Sequence, residues 1–587
     1  MSVLKRFFVS MLGSMAAIWL SAILLIVLGS VFVLVAFAGD DEKIDVDDHS
    51  VLLLTLSGSV EERSVEPSLM DELYGNVEEV TPLNDMVNAI RAAADDDRIE
   101  GIYIDAQGIS AGIASVQSIQ QALKEFKKSG KWIVAYGDSY AQADYYIASI
   151  ADELYLNPVG SVDVHGLSAT TLFFKGLLDK VGVEMQVVKV GEFKSAVEPF
   201  IRTDMSEPSR LQQQVFLDNI WKDFSTTIAA NRGVKVSAVN TWADSLLVCR
   251  SPEYCVKHKV IDKTSYRHQV EELLKEKCGL DEDDDLRTVD AIAYAKVADI
   301  PHRDSEDKRI AVLYAVGDIT ESAQDGIASD RMVPMILNLA EDDKVRGMVL
   351  RVNSGGGSAF ASEQIWEALQ HFKETGKKLY VSMGDYAASG GYYISCGADK
   401  IYAQPGTLTG SIGIFGLIPC AKGLMNEHLG ITSDNVSTNA NGGFMSISEP
   451  LTPTQYNSLQ AEINRGYETF VGRCAEGRDM SVADIKAIAE GRVWDGTEAL
   501  RIGLVDKLGN LDECITDLAA ELDLPKYQVI EYPRQNVTIW ELLFEQPDLA
   551  DAAVKSSLGD SYIIYDRARK LMEMAPKQCR METIILR

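Results

Sequence analysis

The chain has 587 residues, a length that at roughly 150 residues per domain implies three to four ordinary domains or two large ones. Its 46% apolar content, 24% charged residues, 44 Gly and 16 Pro exclude a disordered, collagenous or coiled-coil protein. A net charge of −31 argues against a nucleic-acid partner, because a phosphate backbone is bound by clustered Lys and Arg. Eight cysteines without a CxxC or CxxxC pair are too few for a disulfide-built scaffold. Cys249 and Cys255 could bridge a short loop or remain ordinary thiols. The seven histidines have no HxxxH or HExxH spacing, so no metal site is expected.

From Phe7 to Gly39 the chain carries no formal charge for 33 residues. That exceeds the roughly 20 residues that span a bilayer and the 7–15 of a signal-peptide core, and predicts one transmembrane helix. Lys5 and Arg6 before it, with Asp40, Asp41 and Glu42 after it, predict a cytoplasmic N-terminus and an external remainder. A cleaved signal ending near Ala36-Phe37-Ala38 is the competing reading.

The outer chain repeats itself. Asp96–Ile102 answers Asp342–Met348, and Ala122-Leu123 with Phe126 and Gly130 answers Ala368-Leu369 with Phe372 and Gly376, at an offset of 246. Tyr145-Tyr146-Ile147 and Pro158 answer Tyr392-Tyr393-Ile394 and Pro405 at 247. Each copy opens on an apolar strand, Val51–Gly58 or Ile310–Gly317. Short apolar runs (101–104, 132–136, 347–352, 379–383) then alternate with helical patterns (116–126, 363–372), which predicts βαβ units and a mostly parallel sheet in each copy. The acidic run 281–285 reads as a surface loop between the copies. Beyond about Tyr527 the pattern stops, and apolar 539–544 with basic 567–570 reads as a packing or interface extension.

Departures between the copies locate candidate chemistry. Gly384–Tyr392 contains Ser389-Gly390-Gly391, where the first copy has Gln142-Ala143-Asp144. A serine followed by two glycines at a helix start offers a hydroxyl and backbone N–H groups for acyl transfer, or else a helix N-cap with glycines for close packing. Asn353–Ser358, with Gly355, Gly356 and Gly357, could donate to an oxyanion, cradle a phosphate or form a flexible turn. No Gly-Lys-Ser/Thr follows, so a nucleotide P-loop is not supported. No histidine stands in a triad context. A lysine held neutral can replace it, and Lys194, within Val190–Phe200, is a candidate that the second copy lacks at 439–446. Glu192 and Glu198 could equally make it a surface ion pair.

The stretches Gly191–Phe200, Gly384–Tyr393 and Thr407–Ile414 resemble the long, duplicated form of bacterial signal peptide peptidase A, over about residues 45–530. The resemblance implies an α/β fold of two tandem ClpP/crotonase-like domains behind one transmembrane helix. The segments would be the anchor (1–42), a lysine-supplying repeat (43–300), a serine-supplying repeat (301–526) and an extension (527–587). It implies a membrane-anchored Ser-Lys endopeptidase with Ser389 as nucleophile, Lys194 as general base, Ser411 orienting the lysine, and amides of Gly390 and of Gly356 or Gly357 at the oxyanion. The family's glycine turn usually reads Pro-Gly-Gly, and here Gly355 takes the proline position. Peptide substrates left from signal peptides, a bilayer contact through residues 7–39, a homotetramer, an extracytoplasmic site on the bacterial inner membrane and no metal or nucleotide cofactor are likewise implied. A catalytically silent membrane scaffold on the same fold, and an acyl-CoA enzyme of crotonase type, are the competing functions.

Overall fold

The two copies fold as one parallel sheet and one that is parallel except at its 493–495 edge, in a computed structural model that describes residues 46–64, 80–281, 283–298, 307–323, 326–534, 578–581 and 585–586, with isolated positions 19, 21 and 44. The chain divides into units 1–47 and 48–587, and both copies lie in the second. Among the described residues no helix is long and apolar enough to cross a membrane. The uncharged run 7–39, apart from positions 19 and 21, and the tail stretches 539–544 and 567–570 lie outside them.

In the first copy the main strands are β1 (Ser50–Leu56), β2 (Ile99–Ala106), β3 (Trp132–Gly137), β4 (Glu153–Leu156), β5 (Glu184–Lys189), β6 (Lys263–Thr264) and β7 (Thr288–Asp290). All but β5 form a parallel sheet in the order β7-β1-β2-β3-β4-β6. Helices α1 (Ile113–Phe126) and α2 (Gln142–Ala148) follow β2 and β3; α3 (Glu207–Asn231) and α4 (Arg267–Lys277) come later.

The second copy repeats this plan. Its strands are β8 (Arg309–Val316), β9 (Ile319–Thr320), β10 (Ile327–Ala328), β11 (Val345–Ser354), β12 (Gly356–Ser358), β13 (Lys378–Ala388), β14 (Lys400–Ala403), β15 (Leu408–Gly410), β16 (Phe415–Cys420), β17 (Val493–Asp495), β18 (Lys507–Leu508), β19 (Gln528–Tyr532) and, in the tail, β20 (Gln578–Arg580). The sheet runs β17-β15-β13-β11-β8-β19, with β14 also on β13 and β18 on β14. Starts at 99, 132 and 153 are answered at 345, 378 and 400, so the sequence repeat is a structural one. Among its helices are α5 (Ala359–Glu374), α6 (Gly390–Ser395) and α7 (Leu511–Glu521). Beyond residue 526, β19 still belongs to this sheet, beside β8.

Side-chain alternation sets the layers. Along β8, Ala311, Leu313 and Ala315 join the core under α5, with Ile365, Leu369 and Phe372. Ile310, Val312 and Tyr314 point the other way, onto Leu511, Ile515 and Leu518 of α7. Period-two patterning with apolar residues on both faces is what a sheet covered on both sides requires.

The copies meet through polar contacts. Arg351 on β11 bonds Glu62 at 2.8 Å, with both side chains buried. Asp385 on β13 accepts from the N–H and hydroxyl of Ser115 on α1, at 3.1 and 2.8 Å. Strand β5 of the first copy pairs antiparallel with β16 of the second, from Lys189–Phe415 to Glu184–Cys420. This cross-copy ladder delivers the lysine segment to the second copy.

Candidate active site

Ser389 is the single residue between the end of β13 and the start of α6. Its φ of 57° and ψ of −112° lie where L residues are strained, as at the sharp strand-to-helix turns that carry nucleophilic serines. Its N–H bonds Gly410 O and its C=O accepts from Tyr393 N, both at 2.8 Å, so the surroundings hold the strain. The hydroxyl makes no helix-capping bond, which removes the N-cap reading.

Lys194 Nζ lies 2.7 Å from Ser389 Oγ, and 3.0 Å from both Ser411 Oγ and Ser411 O. Lys194 and Ser411 are each 1% exposed and Ser389 is fully buried, so the lysine is not half of a surface ion pair. The glutamates that suggested one are engaged elsewhere or face away: Glu198 is buried and accepts from Ser206 Oγ and N at 2.5 and 3.0 Å, and Glu192 is exposed. The three neighbours of Nζ suit a neutral amine, which can donate twice to Ser411 and accept the Ser389 proton on its lone pair. Desolvation favours that neutral form.

Ser411 follows β15, which pairs with β13 at Ala388–Gly410. It too has positive φ, 51°, and its N–H bonds Arg492 O at 2.7 Å. Thr409 Oγ1 bonds Ala387 O at 2.7 Å, locking the two strands that carry Ser389 and Ser411. The Thr407–Ile414 motif thus acts by fixing strand register beneath both serines.

No motif or periodicity pointed to the loop 489–492. Phe193 N bonds Glu490 O at 2.9 Å and Gly491 N bonds Ile412 O at 2.8 Å, so this loop grips both the lysine and the Ser411 segments. Gly491 has φ +76°, and a Cβ there would sit 2.6 Å from Lys194 Cβ. No local pattern marks such a glycine, because its partner is some 300 residues away.

The glycine turn is less open than three successive glycines suggest. Gly390, first in α6, has an N–H without an intrahelical acceptor, and Gly391 packs so closely that a Cβ would lie 2.7 Å from Ser354 O. The Gly356 N–H, however, donates to Ser354 Oγ at 3.1 Å. Gly356, Gly357 and Ser358 form β12, whose edge is taken by the tail strand β20 in antiparallel register, Gly356 opposite Arg580 and Gly357 opposite Cys579. Met581 N donates to Gly355 O at 2.7 Å. Strand β20 also reaches β16, pairing Gln578 with Phe415.

Among its described residues the first copy has no such centre. Gln142, in the place of Ser389, bonds His165 N, Gly166 N and Gly166 O. Asp144, in the place of Gly391, is buried and accepts from Ile109 N at 2.9 Å and Ala141 N at 3.2 Å. A carboxylate fills the turn. Cys249 and Cys255 are both free thiols.

The profile of peptidase family S49 matches residues 125–281 and 371–525, and that of Clp protease matches 309–407. The chain belongs to peptidase family S49. Protease 4 of Salmonella typhi is 35% identical over 523 residues, spanning 86% of this chain and 84% of that protein. Serine protease SPPA, chloroplastic, of Arabidopsis thaliana is 30% identical over 531 residues, 89% of this chain and 75% of that protein. A putative signal peptide peptidase SppA of Enterococcus faecium is 32% identical over 234 residues, 39% of this chain and 68% of that protein. This S49 member is therefore a serine protease with a duplicated, ClpP-like α/β fold, and its substrates are peptides.

Proposed function

We propose that this S49 protease cleaves peptides with a Ser-Lys dyad shared between its two copies, Ser389 as nucleophile and Lys194 as general base. The observation that carries the reading is the 2.7 Å contact between Lys194 Nζ and Ser389 Oγ in a buried site. As Ser389 Oγ attacks the scissile carbonyl carbon, the lysine lone pair takes the hydroxyl proton. The resulting ammonium hands that proton to the leaving amine, and water then enters by the same base to release the acyl group. Ser411 Oγ and O hold the amine in line. The Gly390 N–H stabilises the oxyanion, joined by Gly356 once Ser354 Oγ turns away or by Gly357 once β20 leaves its edge. Such a donor is worth about 2.7–4 kcal/mol in the transition state.

The substrate class is signal-peptide remnants. This rests on the name borne by the Enterococcus relative and on the uncharged run 7–39, which would anchor the protein in the bacterial inner membrane with 43–587 outside. In this reading 43–300 is the lysine repeat, 301–526 the serine repeat and 527–587 an extension, and four copies assemble with their sites facing a shared cavity.

The test is cleavage of an apolar, unfolded signal-like peptide by the parent, Ser389→Ala and Lys194→Ala proteins, after each is shown to fold and assemble alike. Loss in both variants supports the dyad. A Lys194→Ala protein at the parent rate would assign the base elsewhere, and an inert parent would favour the scaffold.

A further inference from the structure

Ser389, Ser411 and Lys194 stand on three separate segments, and one side chain outside the dyad touches the supports of all three. Gln212 lies in the second turn of α3, 2% exposed. Its Nε2 donates to Phe193 O at 3.2 Å and to Ser195 Oγ at 3.0 Å, the residues on either side of Lys194. Its Oε1 accepts from Val493 N at 3.0 Å. Val493 opens β17 and pairs with Gly410, whose carbonyl holds Ser389 N; the preceding Arg492 carbonyl holds Ser411 N. Every hydrogen-bonding capacity that the amide shares with backbone or hydroxyl here is therefore spent on the scaffold of the dyad.

We infer that Gln212 is a positioning residue for Lys194, resting on the proposed role of that lysine as base. The side chain is uncharged and reaches the amine only through its neighbours, so it acts by geometry and by keeping the amine dry. Two features suit it to this task. An amide donates twice to the lysine segment while accepting from the serine side; an ionised carboxylate only accepts, and a hydroxyl has a single proton to donate. Helix α3 is itself pinned to the lysine segment at a second point, Glu198 with Ser206, so Gln212 projects from a fixed base. A displacement of about 1 Å at a reacting group costs on the order of 100-fold in rate.

The experiment compares the full-length parent with Gln212→Met, which keeps side-chain length and volume but neither donates nor accepts, and with Ser195→Ala, which deletes one partner of the same amide. Peptide cleavage is followed as kcat, KM and the pH profile of kcat/KM. Charged groups around the lysine segment stay in place in both variants: Lys189, Glu192 and Glu198 on its own side, and Glu490 and Arg492 on the facing loop. A shift of the ascending limb therefore reports the surroundings of the amine itself. The expected result for Gln212→Met is a kcat at least tenfold lower, KM within twofold, and an ascending limb moved up toward the free-lysine value. For Ser195→Ala the same pattern is expected at two- to fivefold, with the double variant no worse than Gln212→Met alone. A kcat within twofold of the parent overturns the assignment. So does a fall in rate with an unmoved pH profile, which would mark Gln212 as structural only. If Gln212→Met does not fold, Ser195→Ala decides by the same profile. A parent whose rate survives Lys194→Ala refutes the dyad instead, whatever Gln212 does.

Discussion

Lys194 and Ser389 are 195 positions apart in sequence and 2.7 Å apart at Nζ and Oγ, each contributed by a different copy of one duplicated fold. In the proposed reading each copy has kept half of a reaction centre. In the first, Gln142 and Asp144 occupy the turn that would have carried a second nucleophile, and in the second no lysine stands at 439–446. The cross-copy ladder of β5 and β16 brings the halves together.

Burial of Lys194 disfavours its ammonium, so its ionisation should fall below the free-lysine value of about 10.4. Activity should rise with pH through that lowered ionisation and reach a plateau in mildly alkaline solution. The pH profile of kcat/KM checks this. A rise that continues to pH 10 would mean that the amine is not desolvated during turnover. Lys194→Ala should lose about 100- to 10,000-fold, the usual range for a general base.

The strained backbone of Ser389 makes a prediction about stability. Ser389→Ala removes the hydroxyl and keeps the strain, whereas Ser389→Gly removes both, because glycine enters positive φ at no steric cost. Both variants should be inactive. The glycine form should be about 1 kcal/mol more stable than the alanine form, and thermal or denaturant unfolding of the pair measures it. Equal stabilities would mean that the turn is relaxed.

Strand β20 lies on the edge of β12 beside the nucleophile turn, where an extended peptide would add to the sheet. Deleting residues 578–587 should free that edge and raise kcat/KM for a short peptide by roughly three- to tenfold, since a tethered strand competes at high effective concentration. A truncated enzyme no faster than the parent would show that β20 does not compete with substrate.

Asp144 titrates in the opposite sense from most carboxylates. Burial raises it from 3.8 to about 6, against the backbone N–H groups of Ile109 and Ala141 that lower it. Between these values the folded state binds a proton that the unfolded chain has released, so this group penalises folding fully above pH 6 and progressively less toward pH 4. The window is worth at most about 3 kcal/mol. The stability difference between Asp144→Asn and the parent should therefore shift against the variant by up to that amount on going from pH 7 to pH 4. Unfolding titrations at the two pH values test it, and a constant difference would refute it.

The sequence alone determined the duplication, the alternation of strands and helices and the α/β class, because these rest on periodicities that repeat at a fixed offset and need no knowledge of what packs where. The contrast between copies also singled out Ser389 and Lys194, once their motifs were set beside a family. Composition could not separate Lys194 from a surface ion pair, since burial belongs to the assembled fold. Only the tertiary structure decided that Glu198 is spent on Ser206, that Gly491 makes room for Lys194, that Gln212 ties its segment to Val493, and that the tail pairs with the glycine turn. All but the first of these join residues roughly 220–300 apart, through a hydrogen bond, a close approach or a three-residue strand pairing. Contacts of that kind leave no periodic trace along the chain: an apolar stripe says which face is buried, and nothing about which hydroxyl will lie within 3 Å of an amine.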